Sequence, residues 1–185
     1  MPPRPSSSRR PSRATPPQGA VGSGVAGRIR VEIADRQRLM AIDRRWLRDL
    51  VRRAVTAIGV PQAEIGLALV DDAGIAALHD RWMGLPDATD VITFDLAVPG
   101  GPGLHGDIAV STETARRVAR SLGWLARHEL AYYVVHGLLH LAGEDDRDAP
   151  SRRKMRTRER EVMAAIGLPE PPRDRRRGHG GGGDR

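Results

Sequence analysis

The sequence predicts an α+β fold in which a single mixed β-sheet of about four strands is covered by helices. Three observations support this fold class. Short stretches in which apolar and polar residues alternate are interspersed with longer stretches that carry apolar residues at helical spacing. Glycine and proline mark most of the boundaries between them. The chain has no cysteine and no apolar run near the roughly 20 residues of a membrane span, so disulfides and membrane insertion are not expected.

The first half of the predicted domain contains two strands, each followed by a helix. Residues 29–33 alternate between apolar and polar types, as in a half-buried strand. Residues 47–58 have helical spacing, and a glycine and a proline directly after them end that helix. Residues 65–69 alternate again, and Asp71 or Asp72 can cap the short helix that follows.

The second half contains two strands and three helices, which completes the order βαβαββααα. The predicted elements are a strand at 90–97, a strand at 106–111, a helix capped by Ser111 or Thr112, the most apolar helix at 127–142, and a helix that Asp148–Pro150 opens and Gly167 ends. Because strands and helices of unequal length are grouped in this way, we expect one sheet with helices packed over it.

The net charge of +7 lies mainly in the two ends of the chain. Residues 1–27 contain four arginines and no acid, and 169–185 contain five arginines against three acids. Both ends are rich in Pro, Gly and Ser or Arg, so we expect two disordered basic tails around one domain at 28–168. Such tails can add salt-sensitive affinity for phosphate backbones, or they can simply be solvated ends.

The N-terminus predicts no targeting signal. It lacks the apolar block of a secretory signal peptide, and six prolines before Gly19 disfavour the helix that transit peptides form. The absence of cysteine also suits a reducing compartment. We therefore expect a cytoplasmic protein.

The segment from His136 to Asp146 carries the clearest chemical pattern, His-Gly-Leu-Leu-His-Leu-Ala-Gly-Glu-Asp-Asp. His136 and His140 are four residues apart, so a helix would present both imidazoles on one face. Gly143 can end the helix in a left-handed conformation and let the chain return with Asp146. Two imidazoles and one carboxylate leave a fourth tetrahedral position open, which is the pattern of catalytic zinc. We therefore predict one Zn²⁺ at these three residues, able to lower the pKa of water towards ~7.

The same segment is also compatible with two other interpretations, a pair of core histidines and a zinc peptidase. The histidines could be core residues with hydrogen-bonded rings, but the glycine and the acidic residues that follow favour a metal site. Zinc peptidases share the spacing, but they place a glutamate directly after the first histidine as general base. Gly137 occupies that position here, which disfavours proteolysis.

Together with two further motifs, this segment resembles the YbeY family of bacterial endoribonucleases. The family pattern His-Gly-x-Leu-His-Leu-x-Gly-x-Asp-His matches at 136–145, and Asp146 stands where the family has its third histidine. Thr89-Asp-Val-Ile-Thr-Phe94 resembles the family's Thr-Asp-Val-Leu-Ser-Phe strand, and Gly106-Asp-Ile108 resembles its Gly-Asp-Ile strand. The resemblance covers roughly 28–168, in the correct order.

The resemblance implies a single-strand-specific, metal-dependent endoribonuclease that acts in 3′-end maturation of small-subunit (16S) rRNA and in ribosome quality control. Its implied partners are single-stranded RNA and the small ribosomal subunit with its proteins. Asp107 aligns with an acid tied to docking on a small-subunit ribosomal protein, although an acid capping the turn before a strand is an equal alternative. A membrane partner is not expected.

The resemblance also shows two departures that bear on catalysis. Asp146 makes the predicted site more anionic than three histidines would. Many members have an arginine implicated in activity where this chain has Met83. We therefore considered Arg81 for charge stabilisation, if the loop there is irregular, and Glu144 for proton transfer. The alternative functions are a non-catalytic ribosome-assembly factor with a structural zinc and, less favoured, a zinc peptidase.

Overall fold

The computed structural model describes residues 28–99 and 101–172, and these residues form four strands and five helices in the predicted order. In chain order the elements are β1 (Ile29–Asp35), α1 (Arg44–Ile58), β2 (Ala63–Val70), α2 (Asp72–Met83), β3 (Val91–Asp95), β4 (Leu104–Ser111), α3 (Thr112–Leu122), α4 (Ala126–Leu141) and α5 (Ala149–Ala165). The α+β prediction is confirmed. The expected tails at 1–27 and 169–185 lie outside the described residues, apart from 169–172, so their disorder stays a prediction.

The four strands form one mixed sheet in the order β1-β2-β4-β3. β1 pairs with β2 in parallel, and β2 pairs with β4 in parallel, so both pairs need crossover connections. β3 pairs with β4 in antiparallel fashion and forms one edge of the sheet. The antiparallel edge strand leaves one side of β3 unpaired within this sheet.

One face of the sheet carries the main hydrophobic core. Alternate residues of β2 and β4, such as Leu67 and Ile108, point to this face and are buried. Helix α4 packs here against α1, α3, α5, β3 and β4. The sequence indicated one apolar flank on this helix, but the structure buries it on nearly all sides. A helix that is apolar all round is a buried helix, so α4 is the scaffold of the fold.

The opposite face of the sheet is covered only in part. Helix α2 packs Ile75 and Leu78 against Ile92 and Phe94, which form a smaller core. The rest of this face is an open groove above small residues such as Ala68. The two faces therefore differ, one being buried under helices and the other largely open.

Side-chain caps begin most of the helices, as the sequence predicts. Asp71 rather than Asp72 caps α2, Ser111 rather than Thr112 caps α3, and Asp148 caps α5. Among the described residues, no helix combines the length and apolar character that a bilayer crossing requires.

Candidate metal centre

The last turns of α4 bring two imidazoles together. His136 and His140 lie one helical turn apart, and their ring centroids are 4.5 Å apart with the ring planes perpendicular. Their Nε2 atoms are 3.0 Å apart. Both rings are partly exposed at the end of an otherwise buried helix. The helix thus presents two potential ligand nitrogens at one point of the surface.

The loop after α4 brings a carboxylate to the same point. Gly143 has a φ of +87°, a left-handed conformation in which glycine has no steric penalty, and the chain turns back there. Asp146 then places its carboxylate oxygens 4.0 Å from Nε2 of His136 and 3.8 Å from Nε2 of His140. The prediction that these three side chains converge is confirmed.

The three side chains fit a tetrahedral metal ion. Their ligand atoms all lie within 4.8 Å of one another. Bonds of about 2.0–2.1 Å in a tetrahedral zinc site place neighbouring ligand atoms about 3.4 Å apart. The two nitrogens are 3.0 Å apart, and each has an oxygen of Asp146 at 3.8 or 4.0 Å, so small side-chain movements would reach that value. Two nitrogens and one carboxylate also match the donor types that zinc accepts.

Each histidine is also held on the side facing away from the cluster. His136 Nδ1 is 2.7 Å from Oε1 of Glu159, a residue of α5 that is 2% exposed. Tyr132 donates its hydroxyl to the other oxygen of that carboxylate at 2.7 Å. His140 Nδ1 is 3.0 Å from the backbone carbonyl of Glu144. Both rings are therefore oriented with Nε2 towards the cluster.

Glu159 was not singled out from the sequence, although a signal for it exists. Met155, Glu159, Val162 and Met163 occupy one helical face of α5, and all four are buried. A carboxylate in an otherwise apolar stripe needs a hydrogen-bond donor or a positive charge as its partner, because burial of an unpaired charge is unfavourable. The partner could not be identified before the packing of α5 on α4 was known.

The electrostatic environment of His136 is negative. Burial alone would lower the pKa of this imidazole. The hydrogen bond to Glu159 and the charge of that carboxylate, together with the charges of Asp146 and Asp90, outweigh burial and raise the pKa above its ordinary value. A site that favours a positive charge in this way also favours a cation.

An open cleft of about 410 Å³ leads to the cluster, within the usual range of ligand sites. Thr89, Asp90 and Thr93, which belong to the Thr89–Phe94 motif, line this cleft. His79 and Met83, one turn apart on α2, line the opposite part of the same cleft. Met83, which stands where the resemblance implies an arginine, therefore lines the cleft.

Arg81 does not join the cluster. Helix α2 continues through Met83, so the irregular loop that would redirect Arg81 is not present. The guanidinium carbon of Arg81 lies 5.6 Å from the ring centroid of Trp82, a ring that lines the groove on the other side of the sheet. Arg81 is not among the residues that line the cleft.

The carboxylate of Glu144 points towards α5. It lies 2.7 Å from Nζ of Lys154 and 3.9 Å from Nε of Arg158. The part of Glu144 that contacts the site is its backbone carbonyl, which accepts from His140. The structure thus gives Glu144 a supporting contact rather than the position of a proton donor.

Asp107 lies on the other face of the sheet. It is the fourth residue of β4 and is exposed in the open groove, so the alternative of an acid capping the turn before a strand is wrong. The strand begins at Leu104 because its first residues pair with β2 from Ala63 onward. A partner bound at Asp107 would leave the cleft accessible.

Gly137 is placed where a side chain would meet the sheet. A Cβ atom there would lie 2.9 Å from Cγ2 of Ile108 and 3.2 Å from Oγ1 of Thr93. A glutamate at this position would require Ile108 and Thr93 to move. The geometry adds to the argument against a peptidase base.

Comparisons with known proteins agree with the sequence motifs. A family profile described as Endoribonuclease YbeY matches residues 32–167. An Endoribonuclease YbeY of Bradyrhizobium sp. strain BTAi1 is 37% identical over 142 residues, which cover 70% of this chain and 84% of the relative. The protein of the same name from Moorella thermoacetica is 39% identical over 133 residues, with coverages of 66% and 85%.

A solved structure supports the fold. The solution structure of a Thermotoga maritima protein superposes with a TM-score of 0.51 at 23% identity, and covers 85% of this chain and 100% of that one. At this level of identity the similarity concerns the fold alone.

Proposed function

Since this chain belongs to the YbeY family of endoribonucleases, we propose that it is a metal-dependent enzyme that cleaves single-stranded RNA. We propose that its metal ion is held by His136, His140 and Asp146. The observation that carries the proposal is the convergence of these three side chains at an open cleft. The names of the relatives supply the substrate class, and the geometry supplies the site.

We infer that the resident ion is a single Zn²⁺, supported by the nitrogen and carboxylate donors and their spacing. The chemistry that zinc supplies is polarisation of a phosphoryl oxygen and a lowered pKa for water. The residues around the ligands then have to orient the RNA. The hydroxyls of Thr89 and Thr93 line the cleft and can donate hydrogen bonds to phosphate oxygens.

We propose that His79 takes both the charge stabilisation first considered for Arg81 and the proton transfer first considered for Glu144. Its Nδ1 is 2.8 Å from the backbone carbonyl of Asp87, which leaves Nε2 without a hydrogen-bond partner among the described residues. His79 lines the cleft on the same face of α2 as Met83. An imidazole held in this way can donate to phosphate when it is protonated, and can exchange a proton with the RNA.

The test uses the purified full chain, freed of metal and reloaded with Zn²⁺. A labelled single-stranded RNA is compared with the same strand in a duplex, and wild type is compared with His140→Ala. We expect internal cleavage of the single strand by wild type alone. Equal cleavage by both proteins would mean that a contaminating nuclease is responsible. A zinc-loaded wild type that leaves every RNA intact would favour the assembly factor with a structural zinc.

A finer proposal concerns the biological RNA. We propose that the enzyme acts in the cytoplasm on the 3′ end of small-subunit (16S) rRNA and in quality control of ribosomes, with Asp107 contacting a small-subunit protein. The support is the family resemblance and the exposed position of Asp107 away from the cleft. Depletion of the protein should cause rRNA with extended 3′ ends to accumulate, and wild type but not His140→Ala should restore maturation. Unchanged 3′ ends would contradict it.

A further inference from the structure

We propose that Glu159 is a positioning residue that fixes the tautomer of His136, so that the lone pair on Nε2 faces the metal. This inference rests on the proposed metal site, and it concerns a residue of α5 that lies outside the ligand motif. Its basis is the 2.7 Å contact between Oε1 of Glu159 and Nδ1 of His136.

The chemistry of the two groups determines the tautomer. An ionised carboxylate accepts hydrogen bonds and donates none, so the proton between these atoms belongs to Nδ1 of His136. A neutral imidazole with its proton on Nδ1 has its free lone pair on Nε2, which is the atom that faces His140 and Asp146. Outer carboxylates of this kind orient metal-binding histidines and increase their basicity.

The carboxylate of Glu159 is itself held in place. The hydroxyl of Tyr132 donates to Oε2 at 2.7 Å, so each oxygen has a polar contact. Tyr132 and His136 are one turn apart on α4, and their rings are stacked with centroids 6.5 Å apart. Glu159 therefore joins α5 to two residues of α4 and has little freedom to move away from the imidazole.

Packing alone does not explain a carboxylate at this position. The neighbouring buried residues of the same face, Met155, Val162 and Met163, are apolar, and burial of a charge without a role is unfavourable. With a zinc ion in place, the negative charges of Asp146 and Glu159 together balance its double positive charge. The proposed Zn²⁺ would thus offset the buried charge of Glu159.

The experiment measures zinc affinity and tautomer separately in Glu159→Gln, which keeps the size of the side chain but removes its charge. Affinity for Zn²⁺ is measured by competition with a chromophoric chelator, and we expect it to fall about 10- to 100-fold. Nitrogen-15 NMR of the metal-free protein, recorded at a pH above the raised pKa of His136 so that the ring is neutral, should show its proton on Nδ1 in wild type. In the variant we expect a mixture of tautomers, because a glutamine amide can donate as well as accept.

Asp72→Asn is the matched control. Like Glu159, Asp72 is a helical carboxylate that accepts side-chain hydrogen bonds, here from Ser111, Thr114 and Arg117, but it does not line the cleft. We expect its loss to leave zinc affinity and the His136 tautomer unchanged. If Glu159→Gln does not fold, Tyr132→Phe replaces it, because it keeps the carboxylate but removes one of its donors. Its expected result is a smaller loss of affinity, together with some of the other tautomer.

The outcomes separate this inference from the proposed function. A wild type that binds no Zn²⁺ overturns the metal site, whereas the tautomer of the metal-free protein still tests Glu159. Unchanged affinity in a folded Glu159→Gln protein overturns the positioning role. So does a loss of affinity with an unchanged tautomer, since that result would assign Glu159 to packing alone.

Discussion

The two sides of the cleft hold their histidines in different ways. On the α4 side, His136 is fixed by a buried carboxylate of another helix, and His140 by a carbonyl of the following loop. On the α2 side, the carbonyl of Asp87 is the one hydrogen-bond partner of His79 among the described residues, and Met83, one turn further along the helix, is 51% exposed. A metal needs ligands at fixed distances, whereas a flexible RNA can adapt to a looser surface. The difference agrees with the proposed division of roles, with metal binding on the α4 side and RNA contact on the α2 side.

The largest effect on zinc binding is expected from removal of a proposed metal ligand on the α4 side. His140→Ala should weaken Zn²⁺ binding by more than the roughly 100-fold maximum seen for outer-sphere changes. Zinc at 100 times the wild-type dissociation constant stabilises wild type by about 2.7 kcal/mol, and the variant should gain almost none of this. Urea denaturation with and without Zn²⁺ measures both proteins. Equal stabilisation would place the metal elsewhere.

Removal of the His79 imidazole on the α2 side should slow turnover but should not change metal affinity. His79→Ala removes a group proposed to exchange protons with the RNA, so we expect about a 100-fold slower single-turnover cleavage, the lower limit for general acid–base catalysis. Zinc affinity should stay within error of wild type. A parallel loss of zinc affinity would show that the two sides are not independent.

Addition of a charge on the α2 side should produce a smaller change, in the opposite direction. Met83→Arg places a guanidinium at the edge of the cleft, and one new contact to the transition-state charge is worth about tenfold in rate. The gain should decrease as salt is raised, since exposed charges are screened. Single-turnover rates at two ionic strengths measure it, with Met83→Gln as the uncharged control. Equal rates for both variants would contradict a charge effect.

The smallest effect is expected from Glu144→Gln. The carboxylate of Glu144 contacts Lys154 and Arg158, exposed or partly exposed cations, and such pairs contribute up to about 1 kcal/mol. Cleavage should therefore stay within about fivefold of wild type. A loss of 100-fold, in a protein that still binds Zn²⁺, would assign proton transfer to Glu144 after all.

Local rules were enough to predict the order of the elements and the convergence of the ligands. The four-residue spacing of His136 and His140 and the left-handed Gly143 act within a few residues, so the sequence pattern contains them directly. The contact between Glu159 and His136 depends on how α5 packs on α4, which no local sequence pattern specifies. Arg81 lies away from the cluster because α2 stays helical through Met83, whereas the sequence left a helix and an irregular loop both open at that point. The missed features are tertiary in origin.

The proposed metal ligands and the groups that orient their rings come from residues 132–159, in two consecutive helices and the loop between them. An ion that links positions so close in the chain closes only short loops, so assembly of the centre has a low entropic cost. Its binding would order the α4–α5 hairpin rather than join distant parts of the molecule. Length changes in the connection between β3 and β4, at residues 96–103, would leave the ligand spacing intact. That connection is therefore a suitable place to insert a reporter peptide.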